Sequence, residues 1–443
     1  MEETFVRRDM LQPVRGMRDL MPEEASMLRF IEGNARRLAE LYGYEEVITP
    51  IIEHYELLAA KIGEENKKRM YVFEDLGGRK VALRPEFTAS IARLVATKMA
   101  TAPKPIRLFS FGSLYRYDEP QLGRYREFWQ ANYELIGSGR PEADAEILLL
   151  TNDFLKGLGL RNYIIKVNHV GILRGILGGE GISEDGQNTI MQALDKKNWD
   201  EAINLAERLG ASERCIRILG YLIDIRGYDK SEFISKVEEA VKGYPEAVSA
   251  LTNFKEIINL LEKAGVKIQF YFEAGFARGL EYYTGMIFEA YVPELDIAIC
   301  GGGRYDKLIE SFGGGMVPAV GVAFGVDRMM LAMEKQSISI PGSQKEKVLV
   351  IPLSNELLAE AIRLVSVLRE NGIPSEIEVM GRTLSRALSD ASRRNITHAV
   401  IIGLKEKSEG KVVLRYMGDK VQEEIRIEDL PVKIRFKSSP HGG

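Results

Sequence analysis

The sequence of 443 residues is poor in cysteine and histidine. Its two cysteines, Cys215 and Cys300, cannot build a disulfide framework, and without a Cys-x-x-Cys pair no zinc site is predicted. No apolar run is long enough to span a bilayer. The N-terminus carries Glu2 and Glu3 and lacks the apolar core of a signal peptide. These absences predict a cytoplasmic protein that has no contact with a membrane.

The composition is that of a globular protein with more than one domain. Hydrophobic residues make up 45% of the chain and charged residues 28%. A length of 443 residues predicts two or three domains. The net charge of −4 argues against indiscriminate nucleic-acid binding. From Lys345 onward the charge is nevertheless +3, which permits a nucleic-acid contact by the C-terminal part.

The stretch from 105 to 137 predicts an antiparallel hairpin around a loop that contains Pro120 and Gly123. Period-two alternation places three polar residues on one face of its second strand. Arginines end the first strand and follow in the loop. The three arginines and the polar trio are Arg116, Arg124, Arg126, Gln130, Asn132 and Glu134. They fit an anionic ligand with a polar handle, or a solvated sheet face with ordinary surface arginines.

The periodicity changes along the chain and predicts its domains. Residues 1–334 mix strands and helices, but 170–265 show helical spacing with glycine stops, which predicts a helical insertion. A polar linker follows at 335–346. Residues 347–437 are predicted to form a small α/β domain, because strands alternate with single helices over 348–404, which predicts a parallel sheet, and 411–417 and 424–427 add further strand pairing. Residues 438–443 are predicted to be a tail.

Three local patterns leave alternatives open. Glu86 and Thr88 suit the first turn of a helix, but they could equally hold a ligand ammonium. The glycine run 301–303, between a predicted strand and a predicted helix, would let a ligand approach the backbone. Arg328 could reach a phosphate or pair with Asp327. These patterns are weak singly.

Six stretches of the chain, taken in order, resemble the histidyl-tRNA synthetase family of class II aminoacyl-tRNA synthetases. They are RGMRD, RPEFT, YRYDEPQLGRYREFWQ, ARGLEYYTG, CGGGRYD and PAVGVAFGVDR. The resemblance covers Arg15 to about Glu334 and extends, in pattern, to the C-terminal domain. It implies an α+β catalytic domain with a six-stranded antiparallel sheet flanked by helices, a helical insertion and a C-terminal α/β anticodon-binding domain. It also implies a homodimer whose interface includes the helix and strand that end at Pro50.

The resemblance implies substrates and roles. Histidine would react with ATP, with Mg²⁺ present, to give histidyl-adenylate, and histidine would then pass to tRNA(His). Arg116 resembles the arginine on the α-phosphate of ATP and Arg328 that on the γ-phosphate, with Asp118 in the same site. Two guanidinium forks suit a bent triphosphate. Ligands of Mg²⁺ are not indicated.

The amino-acid pocket follows from the same resemblance. Glu86, Thr88 and Gln130 resemble the group around the α-ammonium of histidine. Glu134 and Tyr283, with Tyr282 beside them, resemble the groups on the imidazole. Neutral imidazole offers one donor and one acceptor, so a carboxylate and a phenol can bind its two nitrogens.

The remaining roles concern catalysis and tRNA. Arg278 resembles an arginine that stabilises charge as the carboxylate of histidine attacks phosphorus. Gln121 and Arg124 resemble residues at the acceptor end of tRNA. None of the four histidines lies in these stretches, so histidine-based catalysis is not expected. Phe87 and Glu281 depart from the usual family pattern, where a smaller residue and Asp are more common.

One alternative belongs to another functional class. The regulatory subunit of ATP phosphoribosyltransferase resembles the same catalytic domain and binds histidine without charging tRNA. That paralogue generally lacks the C-terminal domain, which begins here at Lys347. It also tends to lose the arginines for ATP and the RG-YY stretch, which this chain retains as Arg116 and Arg328 and as Arg278–Tyr283. A plain nucleotide-binding module would not explain the ordered motifs.

Overall fold

A computed structural model describes residues 8–60, 62–295, 297–340 and 346–436. The chain divides into two compact units, Met1–Ser339 and Ile340–Gly443. Part of the predicted linker and the predicted tail lie outside the described residues. Within these ranges, every helix is too short or too polar to cross a bilayer.

The N-terminal unit contains twelve strands and twelve α-helices among its described residues. The strands are β1 (Glu45–Glu46), β2 (Ile52–His54), β3 (Val72–Glu74), β4 (Lys80–Leu83), β5 (Ile106–Tyr115), β6 (Glu127–Ile136), β7 (Ile164–His169), β8 (Arg226–Gly227), β9 (Phe270–Glu273), β10 (Met286–Tyr291), β11 (Ala298–Arg304) and β12 (Ala319–Gly325). The helices are α1 (Pro22–Tyr42), α2 (Tyr55–Ala59), α3 (Glu64–Lys67), α4 (Thr88–Thr97), α5 (Pro141–Gly157), α6 (Val170–Gly179), α7 (Glu184–Asp195), α8 (Trp199–Arg208), α9 (Glu213–Asp224), α10 (Lys230–Ala240), α11 (Pro245–Lys263) and α12 (Val326–Lys335).

The main sheet has nine strands in the order β1-β5-β6-β12-β11-β10-β7-β9-β8. Its six central strands, from β5 to β7, pair antiparallel throughout. The predicted six-stranded antiparallel sheet is therefore confirmed. It is extended at one edge by β1, which pairs parallel to β5, and at the other by β9 and β8. Helices α1, α5 and α12 cover one face, where Tyr133 is buried.

The predicted hairpin is confirmed as β5 and β6, which pair in register from Ile106 with Ile136 to Tyr115 with Glu127. Tyr133 packs in the core against Phe109 and Phe324. The polar trio of β6 points to the other face, as the alternation requires.

Three predictions of local structure are wrong. The glycines at 301–303 lie inside β11 rather than in a loop after it, since they pair with β10 and β12 on both sides. The segment after Asp306 forms turns and a short 3₁₀ helix, Glu310–Phe312, instead of an α-helix. The strand predicted at 45–50 is limited to β1, because the chain leaves β5 after Val47. Proline at position 50 favours this departure.

The predicted helical insertion consists of α6 to α11; its two-residue strand β8 pairs with β9 at the edge of the main sheet, and α6 and α11 contact β10 and β7. A separate sheet, in the order β2-β4-β3, contains a hairpin, β3 and β4, that turns at Gly77 and Gly78. It leads directly into α4, so it places the RPEFT segment beside the main sheet.

The C-terminal unit has its own sheet and core. Its strands are β13 (Val348–Pro352), β14 (Ser375–Ile377), β15 (His398–Ile402), β16 (Lys411–Tyr416) and β17 (Gln422–Arg426), and its helices are α13 (Leu358–Glu370), α14 (Leu384–Arg393), α15 (Leu404–Ser408) and α16 (Leu430–Phe436). The order is β14-β13-β15-β16-β17, with the first three strands parallel. The parallel pattern predicted for the first three strands is confirmed, and β16 and β17 supply the further strand pairing, which is antiparallel.

Candidate active site

A cavity of about 380 Å³ lies on the face of the main sheet that carries the polar trio. It collects most of the residues singled out in the sequence. Those that line it are Glu86, Thr88, Arg116, Asp118, Arg124, Gln130, Glu134, Arg278, Tyr282, Tyr283 and Arg328. Gln121 is exposed and does not line the cavity, although its backbone pairs with Arg124.

Glu134 is a buried carboxylate at the centre of a hydrogen-bond cluster. Its Oε1 accepts from Thr88 Oγ1 at 2.7 Å and from Asn132 Nδ2 at 3.0 Å. Its Oε2 accepts from the hydroxyl of Tyr305. A carboxylate has about four acceptor positions, so these bonds leave roughly one position, on Oε2. One N–H donor of a ligand can therefore be bound there.

Burial raises the pKa of Glu134 to about 7, although its three hydrogen bonds act in the opposite direction. The nearby Glu86 adds to the rise. A ligand that brings a donor to Oε2 favours the charged carboxylate. Gly321 makes the position possible, since a Cβ there would lie 1.7 Å from Oε2.

The sequence left open whether Glu86 and Thr88 start a helix or contact a ligand, and the structure gives a different answer for each. Thr88 is the first residue of α4, and its hydroxyl donates to Glu134 rather than capping the helix. Glu86 accepts from the backbone N–H of Ala89 at 3.2 Å, which is helix-start chemistry. Its other oxygen accepts from the Tyr282 hydroxyl at 2.9 Å inside the cavity. Burial raises the pKa of Glu86.

Arg116 and Arg328 are half-buried arginines that form no ion pair with the described carboxylates. Arg116 donates to the carbonyl of Pro85 at 2.9 Å. Arg328 donates to the carbonyls of Gly123 and Ala298 at 3.1 and 2.7 Å. Burial lowers the pKa of both side chains, and for Arg328 the nearby Arg124 and Arg116 add to the effect. Clustered cations without carboxylate partners are suited to a polyanion.

Arg328 does not pair with Asp327, which settles the alternative left open by the sequence. Asp327 accepts from Arg18 and, at 2.7 Å, from the backbone N–H of Trp129. The guanidinium of Arg18 also stacks on Tyr125, with 3.8 Å between Cζ and the ring centroid. The RGMRD segment thus holds Asp327 and leaves Arg328 free to face the cavity.

Arg278 lies deep in the cavity between β10 and β11. Its Nη1 donates to the carbonyl of Phe288 at 3.1 Å and pairs with Glu289 Oε1 at 2.9 Å. Its Nε is buried and has no acceptor. Burial disfavours the charged form, but Tyr283 and Glu289 outweigh it, and the pKa of Arg278 shifts upward. An acceptor on a bound ligand would satisfy this free N–H.

The glycine run is needed for Arg278. A Cβ on Gly301 would lie 1.8 Å from Nη1 of Arg278. A Cβ on Gly303 would lie 3.0 Å from the Tyr283 ring. Glycine inside a strand marks a place where another group approaches closely. The approaching group is the Arg278 side chain at Gly301 and a backbone carbonyl of a neighbouring strand at Gly302 and Gly303, so the run is explained without a ligand on the backbone.

The loop of the hairpin contributes further charge. Asp118 faces Arg69 Nε at 3.6 Å and Arg124 Nε at 4.0 Å. Gln130 has a buried Oε1 without a hydrogen-bond partner. An unsatisfied buried oxygen costs free energy unless a ligand donor reaches it. The cavity is therefore cationic towards the loop and rich in acceptors towards Glu134.

The residues that the sequence did not single out as site residues are Tyr305, Glu289, Asn66, Arg69 and Asp195. Tyr305 belongs to the CGGGRYD stretch, and Asn132, which the alternation placed on the polar face, was given no role. Glu289 stands on an alternating strand and carries no motif signal. Asp195 comes from the insertion. Their contacts depend on the fold rather than on spacing.

The described residues offer no preformed metal site. These contain no group of three or more His, Cys, Asp or Glu side chains arranged to hold a metal ion. The carboxylates of Asp118, Asp195 and Glu289 line the cavity singly. Any metal ion there would depend on oxygen ligands from a substrate.

Comparison with known proteins agrees with this geometry. Residues 16–329 match the family model described as histidyl-tRNA synthetase, and residues 347–437 match that of an anticodon binding domain. A histidine–tRNA ligase of Methanocaldococcus jannaschii is 39% identical over 95% of this chain and 99% of its own length.

Two solved structures share the fold. The apo histidyl-tRNA synthetase of Staphylococcus aureus has a TM-score of 0.72 at 25% identity, over 96% of this chain and 99% of its own. A protein of Bacillus halodurans, described as an ATP phosphoribosyltransferase regulatory subunit/histidyl-tRNA synthetase, has a TM-score of 0.75 at 27% identity, over 88% and 98%. By the extent of these matches, the chain belongs to the histidyl-tRNA synthetase family.

Proposed function

We propose that the chain activates histidine with ATP and then transfers the histidyl group to tRNA(His). One observation carries the proposal. A single cavity joins a buried acidic pocket around Glu134 to arginines that form no ion pair, Arg116 and Arg328. The first matches an amino acid with a donor-bearing ring, and the second matches a triphosphate.

In the first step the carboxylate of histidine attacks the α-phosphorus of ATP. A new P–O bond forms, the bond to the β-phosphate breaks, and pyrophosphate leaves. Arg116 and Arg278 would stabilise the charge on the α-phosphate, and Arg328 would bind the γ-phosphate. A carboxylate is already a nucleophile, so no protein base is required. In the second step a ribose hydroxyl of tRNA takes the histidyl group and AMP leaves.

The amino-acid end of the site follows from its acceptors. Glu86, Thr88 and the free Oε1 of Gln130 would surround the α-ammonium group. Glu134 would accept the imidazole N–H at its remaining position on Oε2, and Tyr283 would donate to the other nitrogen. An apolar side chain would leave these groups unpaired, which disfavours it by about four orders of magnitude.

Magnesium fits this site as a companion of ATP. It takes oxygen ligands and is usually held by one or two carboxylates together with substrate phosphates. Asp118 and Glu289 are the residues that could supply them. The ion would neutralise charge on the triphosphate.

The C-terminal unit would bind the anticodon of tRNA, and Gln121 and Arg124 would approach its acceptor end. The domain boundaries from the sequence remain predictions: a catalytic domain over 1–334 with an insertion at 170–265, and an anticodon-binding domain over 347–437. The cytoplasmic location also remains a prediction. The regulatory alternative is disfavoured because the cavity retains Arg116, Arg278 and Arg328 and the full-length relative is a ligase.

A homodimer is proposed from exposed apolar side chains near Pro50. Ile48 is 89% exposed, and Ile52, Val72 and Phe73 on the small sheet are each at least 40% exposed. Such a patch commonly marks a protein–protein contact. Light scattering should give twice the mass of the chain, and Phe73→Glu should lower it. A monomeric wild-type protein would contradict the dimer.

The function is tested by ATP–pyrophosphate exchange. Exchange should depend on histidine and should persist in a chain that ends at Ser339, since every residue assigned to adenylation precedes that point. Charging of tRNA should fall strongly in the shortened chain. Absence of histidine-dependent exchange in the full chain would refute the enzyme proposal, whereas unimpaired charging by the shortened chain would refute the role of the C-terminal unit only.

A further inference from the structure

The peptide that follows Arg278 lies outside the sheet ladders. Gly279 belongs to the connection between β9 and β10, so its backbone groups have no strand partner. Instead, two side chains from distant segments contact the backbone groups of Gly279. Asn66 Nδ2 donates to the carbonyl of Gly279 at 3.3 Å. The N–H of Gly279 interacts with the carboxylate of Asp195.

Asp195 sits directly against Gly279. A Cβ at position 279 would lie 2.7 Å from Oδ2 of Asp195. Of the described residues of the insertion, Asp195 alone lines the main cavity, where it stands at the end of α7. Its charged neighbours are Arg278, Glu289 and Glu65. It forms no ion pair with a described cation, so its carboxylate is available to the Gly279 peptide.

The C-terminal end of α7 also forms an ion pair with α3. Lys196 Nζ pairs with Glu65 Oε2 at 2.5 Å. Gln192 Nε2 donates to Glu281 Oε1 at 2.9 Å, two residues after Gly279. These contacts bring Asn66 to the carbonyl of Gly279 and Asp195 to its N–H. Gly279 directly follows Arg278, whose guanidinium is hydrogen-bonded and ion-paired to the protein only through Nη1.

We propose that Asp195 and Asn66 position Arg278 by holding the backbone of the next residue, Gly279, so that the helical insertion takes part in adenylation through Asp195. The inference rests on the proposed function, because it assigns to these residues an effect on the histidine–ATP reaction. Misplacement of a catalytic group by about 1 Å can cost up to a hundredfold in rate. Asp195 is exposed at the cavity mouth, so a smaller effect is expected.

The experiment measures histidine-dependent pyrophosphate exchange, with rates divided by the active fraction from a burst of adenylate formation. Asp195→Ala should lower kcat about three- to tenfold, the worth of one hydrogen bond, with the histidine KM unchanged within about twofold. Asp195→Asn keeps an acceptor oxygen and should recover most of the rate. Asp185→Ala, an exposed aspartate on the same helix, is the matched control and should equal wild type.

The decisive arm places Asp195→Ala in an Arg278→Ala background. If Asp195 acts through Arg278, the second change should add nothing further to the loss. An unaltered kcat in Asp195→Ala, or a full loss that persists without Arg278, would overturn the proposal. If Asp195→Ala folds poorly, Asn66→Ala tests the contact with the carbonyl of Gly279 instead. No exchange in wild type would contradict the proposed function, whereas wild-type exchange with a silent Asp195→Ala contradicts this inference alone.

Discussion

Replacing Arg278 by alanine is expected to lower the rate of adenylate formation by about two to three orders of magnitude at saturating substrates. The guanidinium is anchored through Nη1, and its buried Nε–H has no protein acceptor. In the proposed reaction, that donor would become satisfied when negative charge develops on the α-phosphate. Pyrophosphate exchange, with the histidine affinity measured separately, checks the result. A raised histidine KM with unchanged kcat would make Arg278 a binding residue instead.

A second variant tests the same position without removing the arginine. Gly301→Ala would place a methyl group 1.8 Å from the present site of Nη1, so Arg278 must move. The rate of adenylate formation should fall, as it does in Arg278→Ala. Gly315→Ala is the matched control, because a Cβ there meets nothing within 4 Å. Equal rates for the two glycine variants would show that the observed position of Arg278 is not the active one.

Changing Glu134 to glutamine is expected to weaken histidine binding by about ten- to a hundredfold, with ATP affinity nearly unchanged. The loss corresponds to one charge-assisted hydrogen bond of roughly 1.5–3 kcal/mol. Glutamine keeps the size, but its amide nitrogen cannot accept from Tyr305 and from an imidazole N–H. Exchange titrated against histidine at fixed ATP, and then against ATP at fixed histidine, separates the two affinities.

Glu127→Gln is the control for this change, since Glu127 lies on the same strand and outside the cavity. It should leave both affinities at the wild-type value. Loss of ATP affinity with normal histidine binding in Glu134→Gln would remove Glu134 from the amino-acid pocket.

The same variant has a pH-dependent effect on stability. The pKa of Glu134 is about 7 in the folded chain, above its ordinary value of 4.5, because burial disfavours the charged form. Its contribution to stability is therefore full below pH 4.5 and is lost as the pH rises through 7. Relative to wild type, Glu134→Gln should gain up to about 3 kcal/mol of unfolding free energy between pH 4.5 and 8. Urea unfolding at both pH values measures it, and a difference that does not change with pH would contradict the raised pKa.

Local patterns predicted the parts of the site that lie on one element. Gln130 and Glu134 share a face of β6 because side chains alternate along a strand, and both line the cavity. The hairpin and the order of strands and helices in the C-terminal unit were predictable for the same reason: both follow from short-range periodicity.

Local sequence patterns gave wrong or open predictions where contacts with residues distant in sequence determine the structure. The glycines of β11 have low strand propensity, but β10 and β12 pair with them on both sides. Thr88 resembles a helix cap, yet Glu134, 46 residues away in sequence, takes its hydroxyl. In both cases a long-range contact outweighs the local preference.

The sequence by itself determined the six motifs, the face of β6 that carries the acceptors, and the change from an α+β to an α/β pattern. Only the tertiary structure decided which charges remain free. Arg328 faces the cavity because Arg18 holds Asp327, and Arg278 has a free N–H because Glu289 occupies only Nη1. Pairing of buried charges depends on distances of a few ångströms between segments far apart in the chain, and such distances exist only after folding.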